Sequence, residues 1–151
     1  MLLSELQKKI TKILAEGGIE TNSLDARIIL REIFNFDEKE LILNSDLILS
    51  ESKISKVQKI ITRRLNYEPV SKIFGKRDFY NSTFSISEDV LDPRPETENI
   101  VEIANNFILE KGYESFIDLG TGSGCIILSI LKENKNLTAV GVDISIDAIN
   151  I

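Results

Sequence analysis

The sequence predicts a mixed α/β chain with three consecutive parts: a small helical bundle over residues 1–66, a β-hairpin linker over residues 67–92, and the start of a doubly wound parallel sheet over residues 93–151. Three observations support this prediction. Apolar residues recur at three- and four-residue steps in the first part, alternate as in a strand in the second, and flank a glycine-rich loop in the third.

Four helices are predicted before residue 67. The first has an apolar stripe from Leu3 to Leu14 and ends at Gly17-Gly18. The other three start at side chains that can accept a hydrogen bond from the first turn, namely Asn22 or Ser23, Asp37, and Ser50 or Ser52. Each helix is too short to be stable alone, so we expect them to pack together.

The pattern changes after Pro69. Residues 72–91 alternate as a hairpin would, with Asn81-Ser82 as the candidate turn. Pro93-Arg94-Pro95 predicts a rigid extended break, because each proline fixes its own φ and disfavours helix in the preceding residue. Pro95 suits the first turn of the next helix, which Gly112 ends.

The last part alternates strand, loop, helix and strand. A strand is predicted for residues 115–119, a glycine loop for 120–124, a helix for 125–132 and a second strand for 137–142. Both strands are apolar enough to be buried on two faces of a parallel sheet. Two strands and one crossover cannot cover such faces, so we expect this chain to be a truncated front portion of a larger protein.

Composition excludes several classes of function. The chain has 151 residues, 42% of them hydrophobic, with no histidine and one cysteine, so no metal site is expected. The unpaired Cys125 and the absence of a long apolar run favour a cytoplasmic protein without membrane association. Residues 93–151 carry 4 Lys+Arg against 9 Asp+Glu, which disfavours stable nucleic-acid binding.

The glycine loop has the spacing Gly-x-Gly-x-Gly at Gly120, Gly122 and Gly124. It differs from the Gly-x-Gly-x-x-Gly of nicotinamide and flavin sites, where a pyrophosphate rests on a helix N-terminus. Asp118, just before the loop, would repel a pyrophosphate but could help to hold a cationic donor. Asp143 follows the second strand, where an acid can accept both ribose hydroxyls. These features predict S-adenosyl-L-methionine as the cofactor and a Rossmann-like class I methyltransferase domain.

Several segments resemble one family. They are Glu68-Pro69-Val70, residues 73–80, residues 90–98 with the run Pro93-Arg94-Pro95-Glu96-Thr97-Glu98, and residues 118–124. The early stretches 18–20 and 24–27 also look like the N-terminal domain of that family. The chain thus resembles the HemK/PrmC protein-(glutamine-N5) methyltransferases, which methylate the Gly-Gly-Gln glutamine of peptide chain release factors in translation termination.

This resemblance implies a set of cofactor contacts. S-adenosyl-L-methionine would be held by Gly120, Thr121, Gly122, Ser123, Gly124 and Asp143, and Pro95, Glu96, Thr97 and Glu98 would lie near the methionine end of the donor. Asp118 is added to these cofactor-binding residues because of its charge, as argued above. Glu96 and Glu98 also suit the positive end of a helix dipole, which is an equally good account of them. The resemblance further implies that the helical domain helps to hold the release factor, its protein substrate.

One part of the family pattern is not in this sequence. The Asn-Pro-Pro-Tyr motif that binds the target amide should follow Asp143, but the asparagine there, Asn150, is followed by Ile151. We therefore predict no catalytic residue in this chain and no methylation by it alone. Two alternatives stay open: a fragment of an adenine-N6 nucleic-acid methyltransferase, and a non-catalytic helical interaction module.

Overall fold

The computed structural model describes residues 1–88 and 90–151, and the chain divides into two units, Met1–Phe74 and Gly75–Ile151. The first unit is helical, and the second combines helices with two small sheets. The chain is therefore a mixed α/β protein, as the sequence predicts. The division falls inside the segment 67–92 that is predicted as a linker.

Within residues 1–74, all of which the structure describes, five helices form. They are α1 (Leu3–Glu16), α2 (Asn22–Phe34), α3 (Glu38–Leu43), α4 (Glu51–Leu65) and α5 (Val70–Phe74). The predicted cap at Asp37 is confirmed as a reciprocal capping box: the Glu40 N–H donates to Asp37 Oδ1 at 2.7 Å, and the Asp37 N–H donates to Glu40 Oε2 at 2.8 Å.

The core of this unit is apolar, but one charged pair is buried beside it. Residues from α1, α2 and α4 supply most of that core: Leu3, Leu6, Ile10, Leu14, Ala26, Ile29, Leu30, Val57 and Ile61. Arg64 Nε of α4 lies 2.7 Å from Asp25 Oδ2 of α2, with side chains 15% and 8% exposed. The Thr21 hydroxyl donates to the same oxygen at 2.9 Å. The pair therefore fixes how α4 sits on α2.

Several details differ from the sequence prediction. The cap of α2 is Thr21 and not Asn22 or Ser23, and Ser50 precedes α4 without a capping side-chain hydrogen bond. Residues 70–74 form α5, although the alternation predicts extended chain from Lys72. The Ile73 N–H donates to the Pro69 carbonyl, and Val70 and Ser71 are buried, so packing decides the conformation. The hairpin turn is Tyr80-Asn81, one residue earlier than predicted. Tyr80 takes a φ of 52°, and its N–H donates to Glu98 Oε1 at 3.1 Å.

The described residues of the second unit contain four strands and three helices. The hairpin is β1 (Lys76–Phe79) with β2 (Ser82–Ser85), antiparallel. A 3₁₀ turn over Pro95–Thr97 leads into α6 (Glu98–Lys111). Then come β3 (Ser115–Leu119), α7 (Cys125–Glu133), β4 (Thr138–Val142) and α8 (Ile146–Ile149). Pro95 opens a helical turn as predicted, but this turn is 3₁₀ and the α-helix itself starts at Glu98. The predicted bounds of β3 are confirmed.

β3 and β4 pair in parallel, with Asp118 opposite Gly141 and Ile117 opposite Val140. Phe116 packs into the apolar core that α6, α7 and the hairpin share. On the other face Ile117, Leu119, Val140 and Val142 are between 45% and 79% exposed. One face of this sheet is therefore covered and the other is open.

A polar network lies beside the apolar core of the second unit. The buried Asn105 of α6 donates to Glu133 Oε2 of α7 at 2.8 Å and accepts from Asn134 Nδ2 at 2.7 Å. Lys132 Nζ donates to the Asn81 carbonyl at 2.5 Å. These bonds fix α6, α7 and the hairpin turn to one another. No helix of the described residues is both long and apolar enough to cross a lipid bilayer.

The buried pair in the first unit gives a stability prediction. Asp25→Ala should lower the free energy of unfolding by about 3 kcal/mol, because it leaves the Arg64 guanidinium buried without its partner. The double variant Asp25→Ala/Arg64→Met should recover part of this loss, since it leaves no unpaired charge. Urea unfolding followed by far-UV circular dichroism measures both effects.

The exposed pair Lys12–Glu16 provides the control, because its side chains are 77% and 66% exposed at a separation of 3.8 Å. Glu16→Ala should change stability by less than about 0.5 kcal/mol. For the buried pair, the losses of stability in Asp25→Ala and in Arg64→Met are measured separately and added. If the double variant Asp25→Ala/Arg64→Met loses as much stability as this sum, Asp25 and Arg64 are not energetically coupled.

Candidate functional site

The glycine loop at the end of β3 has a backbone that only glycine adopts without strain. Gly120, Gly122 and Gly124 have φ values of 76°, 55° and 73°, all in the left-handed region. A Cβ built on Gly120 or Gly122 would meet no atom within 4 Å, whereas one on Gly124 would lie 3.2 Å from Leu128 Cδ1. The loop thus presents bare backbone to open space at Gly120 and Gly122.

Three backbone N–H groups tie this loop to the end of β4. Gly120 and Thr121 donate to the Val142 carbonyl at 2.7 Å and 3.1 Å. Gly122 donates to Asp143 Oδ2 at 2.8 Å. The structure thereby brings together the loop and the acid that the sequence places in one site, although they are 21 residues apart in the chain.

Asp143 is oriented by the backbone around it. Its Oδ1 accepts the Ser145 N–H at 2.9 Å, and its Oδ2 accepts the Gly122 N–H. These N–H groups, Ser145 first, lower the pKa of the Asp143 carboxyl below its ordinary value. A carboxylate has about four acceptor sites on its two oxygens, so Asp143 retains capacity for further donors such as ribose hydroxyls.

Asp118, the last polar residue of β3, is engaged by the loop itself. Its Oδ2 accepts the Thr121 hydroxyl at 2.8 Å. The side chain lies on the same face of the sheet as Gly141, its register partner. Asp118 is thus hydrogen-bonded to the glycine loop, and its predicted contact with a donor stays a prediction.

The Pro-Glu-Thr-Glu turn has different contacts. Residues 95–97 form the 3₁₀ turn before α6, and the Glu98 carboxylate accepts the N–H of Tyr80 in the hairpin. Among the described residues, no hydrogen bond joins residues 95–98 to residues 118–124. The structure therefore links Glu98 to the hairpin turn, and a role near the donor stays a prediction.

Cys125 is the first residue of α7, directly after the loop. Burial raises the pKa of its thiol, although a hydrogen bond with Ser123 opposes this shift. A buried cysteine with a raised pKa stays a thiol and is a poor nucleophile at neutral pH. Cys125 therefore acts as a small packing residue here.

Two residues of the site are missed by the sequence analysis. Ser145 contributes its N–H to Asp143, and Gly141 lies under the Thr121 side chain, with a virtual Cβ only 3.0 Å from Thr121 Oγ1. A glycine inside a strand is a signal of close approach by another group, so Gly141 could have been singled out. The position of Ser145 relative to Asp143 depends on loop geometry that the sequence does not reveal.

Comparison with known proteins gives a consistent picture. Residues 5–75 match the model of the PrmC N-terminal domain. The chain is 35% identical to a bifunctional methyltransferase of Rickettsia conorii, with 99% of this chain and 32% of that protein covered. It is 34% identical to a release factor glutamine methyltransferase of Rhodospirillum rubrum, with 89% and 41% covered. A release factor glutamine methyltransferase of Leptospira interrogans is 35% identical, with 97% and 51% covered.

The chain thus spans about a third to a half of the length of these relatives. The similarity extends beyond the helical unit, since it covers most or all of this chain in each case. Both the matched domain and the named relatives correspond to the family that the motifs indicate. The chain therefore resembles the HemK/PrmC methyltransferases, and its residues 5–75 match the N-terminal domain of that family.

Proposed function

We propose that residues 93–151 form the donor-binding part of a Rossmann-like class I methyltransferase domain, and that its donor is S-adenosyl-L-methionine. The observation that carries this proposal is the hydrogen bond from the Gly122 N–H to Asp143, which sets an acid beside a loop of bare backbone. Both lie at the carboxyl ends of two parallel strands, where open α/β sheets bind their ligands.

The residues present fit such a donor. The space beside Gly120 and Gly122 would accept its adenosyl part against the backbone, because no Cβ fills that space. The Asp143 carboxylate is ionised and has free acceptor sites for the ribose hydroxyls. The net negative charge of residues 93–151 suits a donor that carries both a sulfonium and an ammonium group.

The open face of the β3–β4 sheet supports the doubly wound part of the proposal. Strands that are apolar on both faces occur in parallel sheets with helices on both sides. Here one face is covered, while Ile117, Leu119, Val140 and Val142 remain exposed on the other. A second helix layer on that face would complete the three layers of a doubly wound domain.

For the reaction, we propose transfer of a methyl group to the glutamine side-chain amide in the Gly-Gly-Gln motif of peptide chain release factors, in the cytoplasm. The support is the named relatives, two of which are release factor glutamine methyltransferases. A bound sulfonium donor supplies a methyl group that is already activated, so the protein needs to orient donor and acceptor rather than form a covalent intermediate.

The residues of this chain would perform the donor half of that task. The glycine loop and Asp143 would fix the adenosyl and ribose groups, and Asp118 would add negative charge beneath the loop. The Asn-Pro-Pro-Tyr motif that would hold the amide nitrogen is not in this sequence. We therefore assign donor binding to this chain and expect it not to methylate a release factor alone.

Asp143 gives a direct test of donor binding. In the complete gene product that carries this chain, Asp143→Ala should weaken binding of S-adenosyl-L-methionine about tenfold or more, because it removes the hydrogen bonds between the donor and a charged group. Isothermal titration calorimetry measures the difference. Asp147 is an exposed acid on α8, so Asp147→Ala is a control that removes the same charge. It should leave the affinity for S-adenosyl-L-methionine unchanged. Equal affinities for the Asp143 variant and the unmodified protein would refute the assignment.

The lowered pKa of Asp143 predicts the pH dependence of binding. The backbone N–H groups favour the carboxylate, so the group stays ionised from neutral pH down past about 3.9, the ordinary value for aspartate. Its stabilising hydrogen bonds are present above that value and are lost as pH falls through the lowered folded-state pKa. Donor affinity measured between pH 5 and 8 should therefore show no titration from Asp143. A midpoint inside that window that disappears in Asp143→Asn would contradict this.

The acceptor is tested separately with a labelled methyl donor. The complete gene product should label a release factor, and changing the glutamine of its Gly-Gly-Gln motif to alanine should abolish the label. The same reaction with adenine-containing DNA or RNA distinguishes the nucleic-acid alternative. Label in nucleic acid and none in the release factor would overturn the proposed substrate while leaving donor binding intact.

A further inference from the structure

The side chain of Thr121 lies between the two strands that support the glycine loop. Its hydroxyl donates to Asp118 Oδ2 on β3 at 2.8 Å, and its N–H donates to the Val142 carbonyl on β4 at 3.1 Å. Its own carbonyl accepts the Gly124 N–H at 2.8 Å, just before α7. One loop residue is thus bonded to both strands and to the start of the following helix.

Gly141 makes room for this side chain. A Cβ at position 141 would lie 3.0 Å from Thr121 Oγ1, 3.1 Å from Cγ2 and 3.2 Å from Cβ. All three contacts are tighter than normal, and a rotation of χ1 cannot relieve them together, because Thr121 Cβ does not move in such a rotation. Gly141 is absent from the glycines with positive φ, so glycine is needed here for space and not for conformation.

Asp118 and Gly141 are register partners on the same face of the sheet. Because position 141 has no side chain, Thr121 can rest on β4 and still reach the carboxylate on β3. The contact crosses the strand pair under the loop. A Cβ at position 141 would press on the Thr121 side chain, which would have to shift by a few tenths of an ångström.

We infer that Thr121, seated on Gly141, is a positioning residue for donor binding. It holds the Asp118 carboxylate and the loop backbone in one arrangement, and the next residue, Gly122, then directs its N–H at Asp143. The side chain of Thr121 contacts the two strands, so the backbone of the loop is the part that would contact the donor. Donor affinity therefore depends on a hydroxyl group at position 121 and on a glycine at position 141. This inference rests on the proposed donor site.

Two substitutions at position 121 separate positioning from packing. Thr121→Val keeps the shape of the side chain and removes the hydroxyl, whereas Thr121→Ser keeps the hydroxyl and removes the methyl group. If Thr121 positions the loop, Thr121→Val should raise the Kd for S-adenosyl-L-methionine about tenfold, the low end for a lost hydrogen bond to a charged group. Thr121→Ser should stay within about twofold of the unmodified protein. If Thr121 contributes only packing, the Kd should be higher for Thr121→Ser than for Thr121→Val.

Gly141→Ala tests the other half of the contact. It should raise the Kd at least about tenfold, because a new methyl group displaces Thr121 from β4. Thr138→Val provides the matched control on the same strand. It also removes a threonine hydroxyl, one that donates to the Glu114 carbonyl at 3.2 Å, and it lies far along β4 from the loop, so donor affinity should not change.

Calorimetry on the complete gene product, with thermal unfolding of each variant, decides between the outcomes. Weaker binding in Thr121→Val than in Thr121→Ser, at similar unfolding temperatures, supports the positioning role. If the unmodified protein binds S-adenosyl-L-methionine and Thr121→Val binds it as tightly as Thr121→Ser or more tightly, this inference is overturned. The proposed donor site is not affected by that result. An unmodified protein that does not bind S-adenosyl-L-methionine overturns the donor site, and the positioning role with it.

Discussion

The hydrogen bonds between the glycine loop and the end of β4 are the constraint on which the candidate site depends. Three successive N–H groups, from Gly120 to Gly122, point to the Val142 carbonyl and the Asp143 carboxylate. This is possible because the loop backbone is left-handed at Gly120 and Gly122, where other residues would be strained. The same conformation leaves the opposite side of the loop backbone uncovered. The same hydrogen bonds therefore hold one side of the loop against β4 and leave the other side accessible to a ligand.

Directional polar contacts organise each unit in its own way. In the helical unit, the ion pair between Asp25 and Arg64 sets how α2 and α4 meet. In the second unit, Asn105 and Glu133 set how α6 and α7 meet. Polar contacts of this kind require a defined geometry, whereas apolar contacts tolerate sliding. Each unit thus combines an apolar core with a few directional bonds that fix its helices.

Where local chemistry decides, the sequence was a good guide to the structure. Asp37 caps α3 as predicted, and β3 has the predicted bounds, because a capping box and a short apolar run before glycine are local signals. The elements that the sequence predicts incorrectly are those whose conformation depends on packing. Residues 70–74 become a helix inside the first unit, and Tyr80 takes a turn position where its N–H meets Glu98, a residue 18 positions away.

The candidate site shows the same division. The loop and Asp143 could be identified from spacing alone, because a glycine motif and an acid at the next strand end have fixed places in a βαβ unit. The contact of Thr121 with Asp118 and Gly141 could not, because it depends on the register of two parallel strands. Sequence reasoning gave Thr121 the role of a donor contact. The structure shows that its side chain bonds to Asp118 across the sheet, and the donor contact itself stays a prediction.

The open face of the sheet determines whether a ligand at the strand ends would be compatible with a helix layer packed on that face. Ile117 and Val140 point away from the covered face, and the loop and Asp143 lie at the strand ends, not on either face. A helix layer packed on the open face would bury apolar side chains at about 25 cal/mol for each Å² removed from water. It would do so without crossing the carboxyl edge where the loop presents its backbone. Covering the open face and binding a ligand at the edge are therefore compatible, and open α/β sheets do bind their ligands outside the carboxyl ends of their strands.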